Sequence, residues 1–185
     1  MPNWCYNNVD ITATTDEQKA LLQRVVDRGE DEGVFEIVRP LPEALRDTVK
    51  GTGEEDQTVF VDGCNNWYDW QVNHWGTKWD VNPIDEQFDG ETLSLSFDSA
   101  WAPPIQFYEY LQELGFQVFA NYYEPGMGFA GEWNDGDDFY IDDVYSLARQ
   151  NPETLSTQEY HIIEMFGIRE EMAQWDEDED LIDEA

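Results

Sequence analysis

Basic residues are scarce in this chain, which has 9 lysines and arginines against 42 aspartates and glutamates and a formal net charge of -33. Binding to nucleic acid depends on Lys and Arg side chains that neutralise phosphates and release counterions. The sequence therefore predicts no direct binding to DNA or RNA. A negative protein is also repelled by anionic lipid, so we expect no role at a membrane surface.

Cysteine and histidine are equally rare, with 2 residues of each kind. Cys5 and Cys64 are too few for a disulfide framework. Together with His74 they show none of the spacings that are typical of zinc sites. The other histidine is His161, and no nucleophile elbow, Walker loop or H-E-x-x-H motif is present. The sequence therefore predicts no metal, no cofactor and no enzyme activity.

Long hydrophobic runs are missing as well. No stretch approaches the roughly 18 apolar residues of a membrane-spanning helix, and the N-terminus lacks the charged and apolar regions of a signal peptide. We therefore expect a soluble, cytoplasmic protein. The chain is nevertheless 41% hydrophobic and 15% aromatic, which is well above the content of a disordered polyelectrolyte and predicts a folded core.

The acidity is compatible with three uses. One is mimicry of the phosphates of DNA, which would let the protein occupy the basic groove of a DNA-binding enzyme. Another is adaptation to molar salt, in which the Debye length falls to about 3 Å. The third is plain solubility. Composition does not separate the first two, because both favour carboxylates and disfavour lysine.

The hydrophobic pattern predicts strands and helices in alternation. Val9, Ile11 and Ala13 alternate with polar residues, as in a half-buried strand. A capping box at Thr15 predicts a helix that ends near Gly29. Further strands are predicted at residues 34–38, 93–97, 116–120, 129–133 and 139–141, and a further helix from Pro103 to Gly115.

The predicted order of elements is that of the split β-α-β arrangement, an α+β ferredoxin-like fold with an antiparallel sheet and helices on one face. Residues 1–150 would form this domain. Within it, residues from about 43 to 87 would form a Trp-rich insertion, with a short helix at about 65–75 and a strand entered at Thr77. Residues 151–185 would carry a helix that begins after a capping box at Ser156, with a kink at Gly167, and then a disordered acidic tail.

Three local runs carry a family resemblance: Pro2-Asn3-Trp4-Cys5, then residues 75–80 (WGTKWD), then residues 97–104 (FDSAWAPP). Together they resemble the YubB-type family of small proteins carried by bacteriophages and conjugative plasmids. The resemblance spans roughly residues 1–135. It implies a ferredoxin-like domain, an origin on a mobile element and gene neighbourhoods similar to those that hold anti-restriction genes.

The acidic surface then suggests a phage or plasmid accessory protein of the anti-restriction or anti-CRISPR class. It would act in the cytoplasm of the host cell and bind a host DNA-binding or nuclease protein, presenting carboxylates where DNA phosphates would lie. The predicted partner-binding residues are Asp135, Asp137, Asp138, Asp142, Asp143, Glu170, Glu171, Asp176, Glu177, Asp178, Glu179 and Asp180.

Two alternatives stay open at this point. In one, the protein is acid-coated for a halophile's virus or plasmid, and its charge serves solvation alone. In the other, Trp75, Lys78, Trp79 and Asp80 form a ligand-binding or catalytic pocket with two aromatic walls and one cation, suited to an anionic or planar ligand. The structural interpretation of the same run is a core strand whose lysine is neutralised by its neighbours.

Overall fold

A six-stranded antiparallel sheet organises the chain. The structure is a computed structural model that describes residues 2–50 and 59–183, with side chains as far as residue 175. The strands are β1 (Trp4–Thr12), β2 (Asp85–Phe88), β3 (Thr92–Ala100), β4 (Gln117–Glu124), β5 (Phe129–Asn134) and β6 (Asp137–Ile141). Their order in the sheet is β2-β3-β1-β4-β5-β6. The predicted α+β class is confirmed.

Helices connect and flank these strands, and short 3-10 turns occur at Glu43–Leu45 and Pro152–Thr154. The helices are α1 (Asp16–Val26), α2 (Val34–Val38), α3 (Trp67–Trp75), α4 (Ile105–Glu113), α5 (Val144–Ala148), α6 (Thr157–Met165) and α7 (Ile168–Asp183). Among the described residues, no helix is both long enough and apolar enough to cross a membrane.

The main core lies between one face of the sheet and helices α1 to α4. Val9 of β1 pairs with Leu95 of β3 on one side and with Ala120 of β4 on the other, and all three side chains point inward. Phe35 of α2 and Phe107 of α4 pack against each other in this core, with ring centroids 4.3 Å apart and ring planes tilted by 40°. The apolar residues whose alternation predicts β1 and β3 from the sequence are therefore the ones that fill the core.

A second apolar cluster covers part of the opposite face. Tyr123 of β4 and Ala130 of β5 pack there against Ile162, Ile163 and Ile168 of α6 and α7. The prediction of helices on one face only is therefore wrong. The strands β5 and β6 are predicted from the sequence, but the prediction misses that β4 and β5 give the C-terminal helices an apolar surface of their own.

Two predicted strands are wrong. Residues 34–38 form α2, because the Asp80 carboxylate accepts hydrogen bonds from the backbone N–H groups of Phe35 and Glu36 and so caps the first turn. The segment that follows Thr77 is irregular, and the next strand begins only at Asp85. The Thr77 side chain is buried and donates to the carbonyl oxygen of Ala100.

The C-terminal region differs from its prediction at two points. The capping box at Ser156 is present, but the helix ends near Phe166, and Gly167 with φ +60° separates α6 from α7. The kink predicted at this glycine is thus a break between two helices. The backbone of the acidic run then continues α7 as far as Asp183, where the sequence predicts disorder.

Candidate functional site

In the part of the chain that the structure describes, one part of the sheet is not covered by a helix except where Met165, at the end of α6, reaches Asn8, and we call it the open face. It is the outward side of β1, β2 and β3, opposite the main core. Cross-strand pairing brings Tyr6 beside Asp98, Asn8 beside Ser96 and Asp85 beside the same Ser96. Side chains from three strands therefore meet on one surface, which has an aromatic end and a polar end.

The polar end of the open face holds a cavity of about 240 Å³. Asp10 accepts a hydrogen bond of 2.5 Å from the Ser94 hydroxyl, and Asn8 accepts one of 2.7 Å from the Ser96 hydroxyl. Asn121, only 2% exposed, also lines this cavity. Its Oδ1 atom is buried and has no hydrogen-bond partner among the described residues. The polar end thus offers acceptors and suits a ligand that carries N–H or O–H donors.

The aromatic end consists of Trp4, Tyr6 and Trp79, each 41–42% exposed, and Trp101, 51% exposed, directly follows Ala100, the cross-strand partner of Trp4. The Trp4 and Trp79 rings lie 5.9 Å apart and are tilted by 39°. Trp101 adopts φ +75°, a left-handed conformation that costs a bulky residue of the order of 1–3 kcal/mol. Such strain and exposure are typical of functional surfaces.

A second cavity, of about 220 Å³, opens at this aromatic end. Trp4, Trp79, Asp80 and Asp98 line it, together with Ile84 at its rim. The Asp98 carboxylate accepts no hydrogen bond from another described residue, and partial burial raises its pKa above the usual range. The cavity therefore combines two indole rings with a carboxylate that accepts no hydrogen bond within the described part of the chain.

The sequence-predicted pocket is not assembled from its four residues. Trp75 is only 1% exposed, and its Nε1–H donates to the carbonyl oxygen of Arg39 in the core. The Asp80 carboxylate caps α2, and burial, its largest influence, raises its pKa. The Lys78 ammonium lies 3.8 Å from the centroid of the Trp79 ring. Trp79 and Asp80 line the observed cavity, and Trp4 supplies its second aromatic wall.

Five of the predicted acidic residues do lie along one edge. We call Asp135, Asp137, Asp138, Asp142 and Asp143 the β6 acidic row, since they begin, flank and follow the edge strand β6, and all five are exposed. Three of them accept local hydrogen bonds. Asp135 accepts from the backbone of Val118, Asp138 from the Tyr122 hydroxyl, and Asp143 from the backbone and hydroxyl of Ser146.

The remaining predicted acidic residues belong to α7. Glu171 accepts a hydrogen bond of 2.7 Å from the Tyr123 hydroxyl and so attaches the helix to the sheet, whereas Glu170 is exposed. Asp176, Glu177, Asp178, Glu179 and Asp180 lie in the last turns of α7, and their side chains lie outside the described part of the structure.

Few carboxylates are neutralised by ion pairs. Among the described residues the ion pairs join Arg28 to Glu86, Arg46 to Glu36 and Glu43, and Lys50 to Asp69. None of these pairs involves the β6 acidic row or the open face residues Asp10 and Asp98. Among the described residues, Arg149 lies close enough to Asp143 to lower its pKa, after the larger effect of the hydrogen bonds from Ser146, but no ion pair neutralises either surface.

Sequence reasoning missed Tyr6, Asp10, Asp85 and Asp98 as site residues. The alternation in β1 and β3 does signal that Tyr6, Asp10 and Asp98 point away from the core. It does not tell which part of the outward face stays uncovered, because that depends on where α5 to α7 pack.

Comparisons with known proteins give limited information. No family model matches the chain, and no curated protein matches it. Among solved structures, the crystal structure of the protein api92 from Yersinia pseudotuberculosis, of the family DUF1281, is similar over 77% of this chain and 98% of that chain, with 11% identity and a TM-score of 0.39. The function has to follow from the residues of this chain.

Proposed function

We propose that the protein is a phage or plasmid accessory protein that binds a basic, DNA-handling host enzyme in place of DNA. It would act as an inhibitor of the anti-restriction or anti-CRISPR class in the host cytoplasm. The observation that carries the proposal is the β6 acidic row, which places exposed carboxylates along a single edge strand.

The charge density of this row is close to that of one DNA strand. Residues 135–143 span at most about 26 Å at about 3.3 Å per residue. The five carboxylates therefore give one charge per roughly 5 Å, against one phosphate per about 3.4 Å along a DNA strand. The two densities agree within a factor of two, so the cationic groups that contact a DNA strand would find acceptors along β6.

Fixed carboxylates suit this role better than mobile ones. The hydrogen bonds to Asp135, Asp138 and Asp143 hold these side chains in place before a partner arrives, which lowers the entropic cost of binding. Hydrogen bonds from Ser146 also lower the pKa of Asp143 below its usual range. Asp143 is therefore held in its charged form by its own helix cap.

We also propose that the core of the sheet is a ferredoxin-like domain. The strand order β4-β1-β3-β2, with α1 after β1 and α4 after β3, supports this assignment. In this interpretation β5 and β6 extend the domain and present the acidic row. The resemblance of three sequence runs to YubB-type proteins supports an origin on a phage or plasmid.

Capture of the partner tests the proposal. The tagged protein is incubated with bacterial lysate at about 50 mM and 500 mM salt, with and without excess duplex DNA, and the bound proteins are identified by mass spectrometry. We expect a nuclease or another DNA-binding enzyme that is released both by salt and by DNA, because contacts of this kind lose most of their affinity over that range.

Matched variants connect the capture to the acidic row. Asp137→Asn and Asp142→Asn together remove two exposed charges of the row whose side chains make no hydrogen bond or ion pair with a described residue. The control removes the same charge elsewhere, with Glu109→Gln and Glu113→Gln on α4. Loss of the partner in the first variant alone supports the proposal. Equal loss in both, or a partner that DNA does not displace, contradicts it, and unfolding of the protein at low salt favours adaptation to molar salt instead.

A further inference from the structure

We infer that the cavity of about 220 Å³ lined by Trp4 and Trp79 receives an arginine side chain of the protein partner, with Asp98 as its counter-charge. The identity of the partner rests on the proposed function. The preference of the cavity for a guanidinium group is a property of this chain and can be measured separately.

The aromatic walls favour a cation. The faces of indole rings attract cations through their quadrupole, and tryptophan does so most strongly among the aromatic residues. Trp4 and Trp79 are each more than 40% exposed, so ring surface is available to a ligand. A planar guanidinium group stacks on such a ring and still directs its N–H groups sideways, which an ammonium group does not do.

The position of Lys78 shows that the Trp79 ring attracts a cation. Its ammonium lies 3.8 Å from the ring centroid, although carboxylates are abundant on the surface of this protein. Lys78 is not among the residues that line the cavity, so it contacts the ring from outside. The cavity itself is left for a second cation.

The charges in the cavity exclude an anionic ligand. Two carboxylates line it, Asp80 and Asp98, and no basic residue is among the described residues of its lining. The oxygens of Asp80 are occupied by backbone N–H groups of α2 and of Val81. Asp98 has no such partner among the described residues, so its carboxylate can accept hydrogen bonds from the guanidinium group.

The burial of Asp98 makes an ion pair there stronger than one on an open surface. Partial burial raises its pKa, so the carboxylate is less well hydrated than an exposed one. Across the β1–β3 pair lies Tyr6, whose pKa is raised by burial and then by the charge of Asp98. Tyr6 therefore stays uncharged beside Asp98 and adds no second negative charge at this position.

The test uses N-acetyl-arginine amide as the probe and N-acetyl-citrulline amide as a neutral analogue of the same shape. Binding is followed by the indole N–H signals in nitrogen–proton correlation spectra of the full chain, assigned with Trp4→Phe and Trp79→Phe. We expect saturable shifts of these two signals with the arginine derivative, with a dissociation constant of the order of millimolar, and no saturation with citrulline.

Two variants on the same face localise the counter-charge. Asp98→Asn should weaken arginine binding about five- to tenfold, as expected for the loss of one charge-assisted hydrogen bond. Asp10→Asn removes the same charge from the polar end of the open face and should change binding less than twofold. Equal effects of the two variants, equal binding of citrulline, or shifts confined to other tryptophans would overturn the inference. The spectra show directly whether each variant is folded.

The partner capture separates this inference from the proposed function. If Asp98→Asn retains the captured enzyme as well as the unchanged protein does, the cavity is not an arginine receptor for that enzyme, and the proposed function stands. If the arginine derivative binds as expected but no DNA-binding enzyme is captured, the cavity is confirmed and the proposed function is wrong.

Discussion

Gly33→Ala should destabilise the fold strongly, although its backbone conformation is one that alanine adopts readily. A Cβ atom at this position would overlap the Asp80 carboxyl group and displace it. The Asp80 carboxylate now accepts hydrogen bonds of 2.7, 2.9 and 2.7 Å from the backbone N–H groups of Phe35, Glu36 and Val81. Its displacement would break all three. With about 1 kcal/mol for each N–H group that loses its acceptor, the cost is about 3 kcal/mol.

Urea unfolding followed by circular dichroism measures this cost. With a denaturant dependence of about 2 kcal/mol per molar urea, the midpoint should fall by about 1.5 M. Gly29→Ala is the matched control, because its nearest contact, a carboxylate oxygen of Glu32, lies 3.6 Å from the added Cβ. Alanine at residue 29 should be neutral or stabilise slightly. Midpoints within 0.2 M of each other for the two variants, on the order of 0.4 kcal/mol, would refute the assigned role of Asp80.

Three further predictions concern stability and local opening. Asn7→Leu should lower the free energy of unfolding by about 2–4 kcal/mol, measured in urea, because the Asn7 side chain hydrogen-bonds with the Cys5 carbonyl, Ser99 and the Tyr108 hydroxyl. Asn121→Leu should change it by less than about 1 kcal/mol, because the buried Oδ1 of Asn121 has no hydrogen-bond partner among the described residues. Burial raises the pKa values of Tyr108, Tyr122 and Tyr123 above the ordinary 10.0. Burial likewise raises the pKa of the Cys5 thiol above its ordinary 9.0. The native state then keeps protons that the unfolded chain releases, so the urea midpoint should be constant up to about pH 8, begin to fall as Cys5 ionises in the unfolded chain, and fall further as the pH rises through 10. Tyr123→Phe removes a hydrogen bond that attaches α7 to the sheet, and hydrogen exchange of α7 amides should become about five- to tenfold faster while that of α1 stays unchanged.

The elements that sequence predicts correctly are those whose determinants are local. The capping boxes at Thr15 and Ser156 begin α1 and α6 as expected, because both partners of each box lie within one helical turn. The helix α2 has no local cap at Gly33, and its acceptor comes from Asp80, 45 residues away from Phe35. Its apolar run, VFEIV, therefore has the composition of a strand and the structure of a helix.

The strand β2 is not predicted, because its determinants are also not local. Its sequence from Asp85 to Phe88, DEQF, has no apolar alternation, because it lies at the edge of the sheet and only Phe88 packs against the main core. Pairing with β3 alone defines it. A strand that is stabilised mainly by hydrogen bonds to its neighbour need not show a strand-like pattern in its own sequence.

The two parts of the candidate site were predictable to different degrees. The β6 acidic row lies within residues 135–143, so composition and a hairpin signal at residues 134–136 suffice to find it. The cavity at the aromatic end needs Trp4 from β1, Trp79 from a loop and Asp98 from β3. Only the antiparallel pairing of β1 with β3 and the irregular path after Thr77 bring these residues together.

The β6 acidic row would raise the rate of association with the partner, whereas the cavity would supply selectivity and affinity that resist salt. Exposed charges attract any basic surface and raise the association rate, but they do not select one enzyme among many. Their contribution declines with salt, since the Debye length falls from about 10 Å at 0.1 M to about 3 Å at 1 M. A stacked and partly buried guanidinium is screened much less. The affinity that remains at 500 mM salt should therefore depend on Asp98 and Trp79, while the association rate at 50 mM should depend on the β6 acidic row.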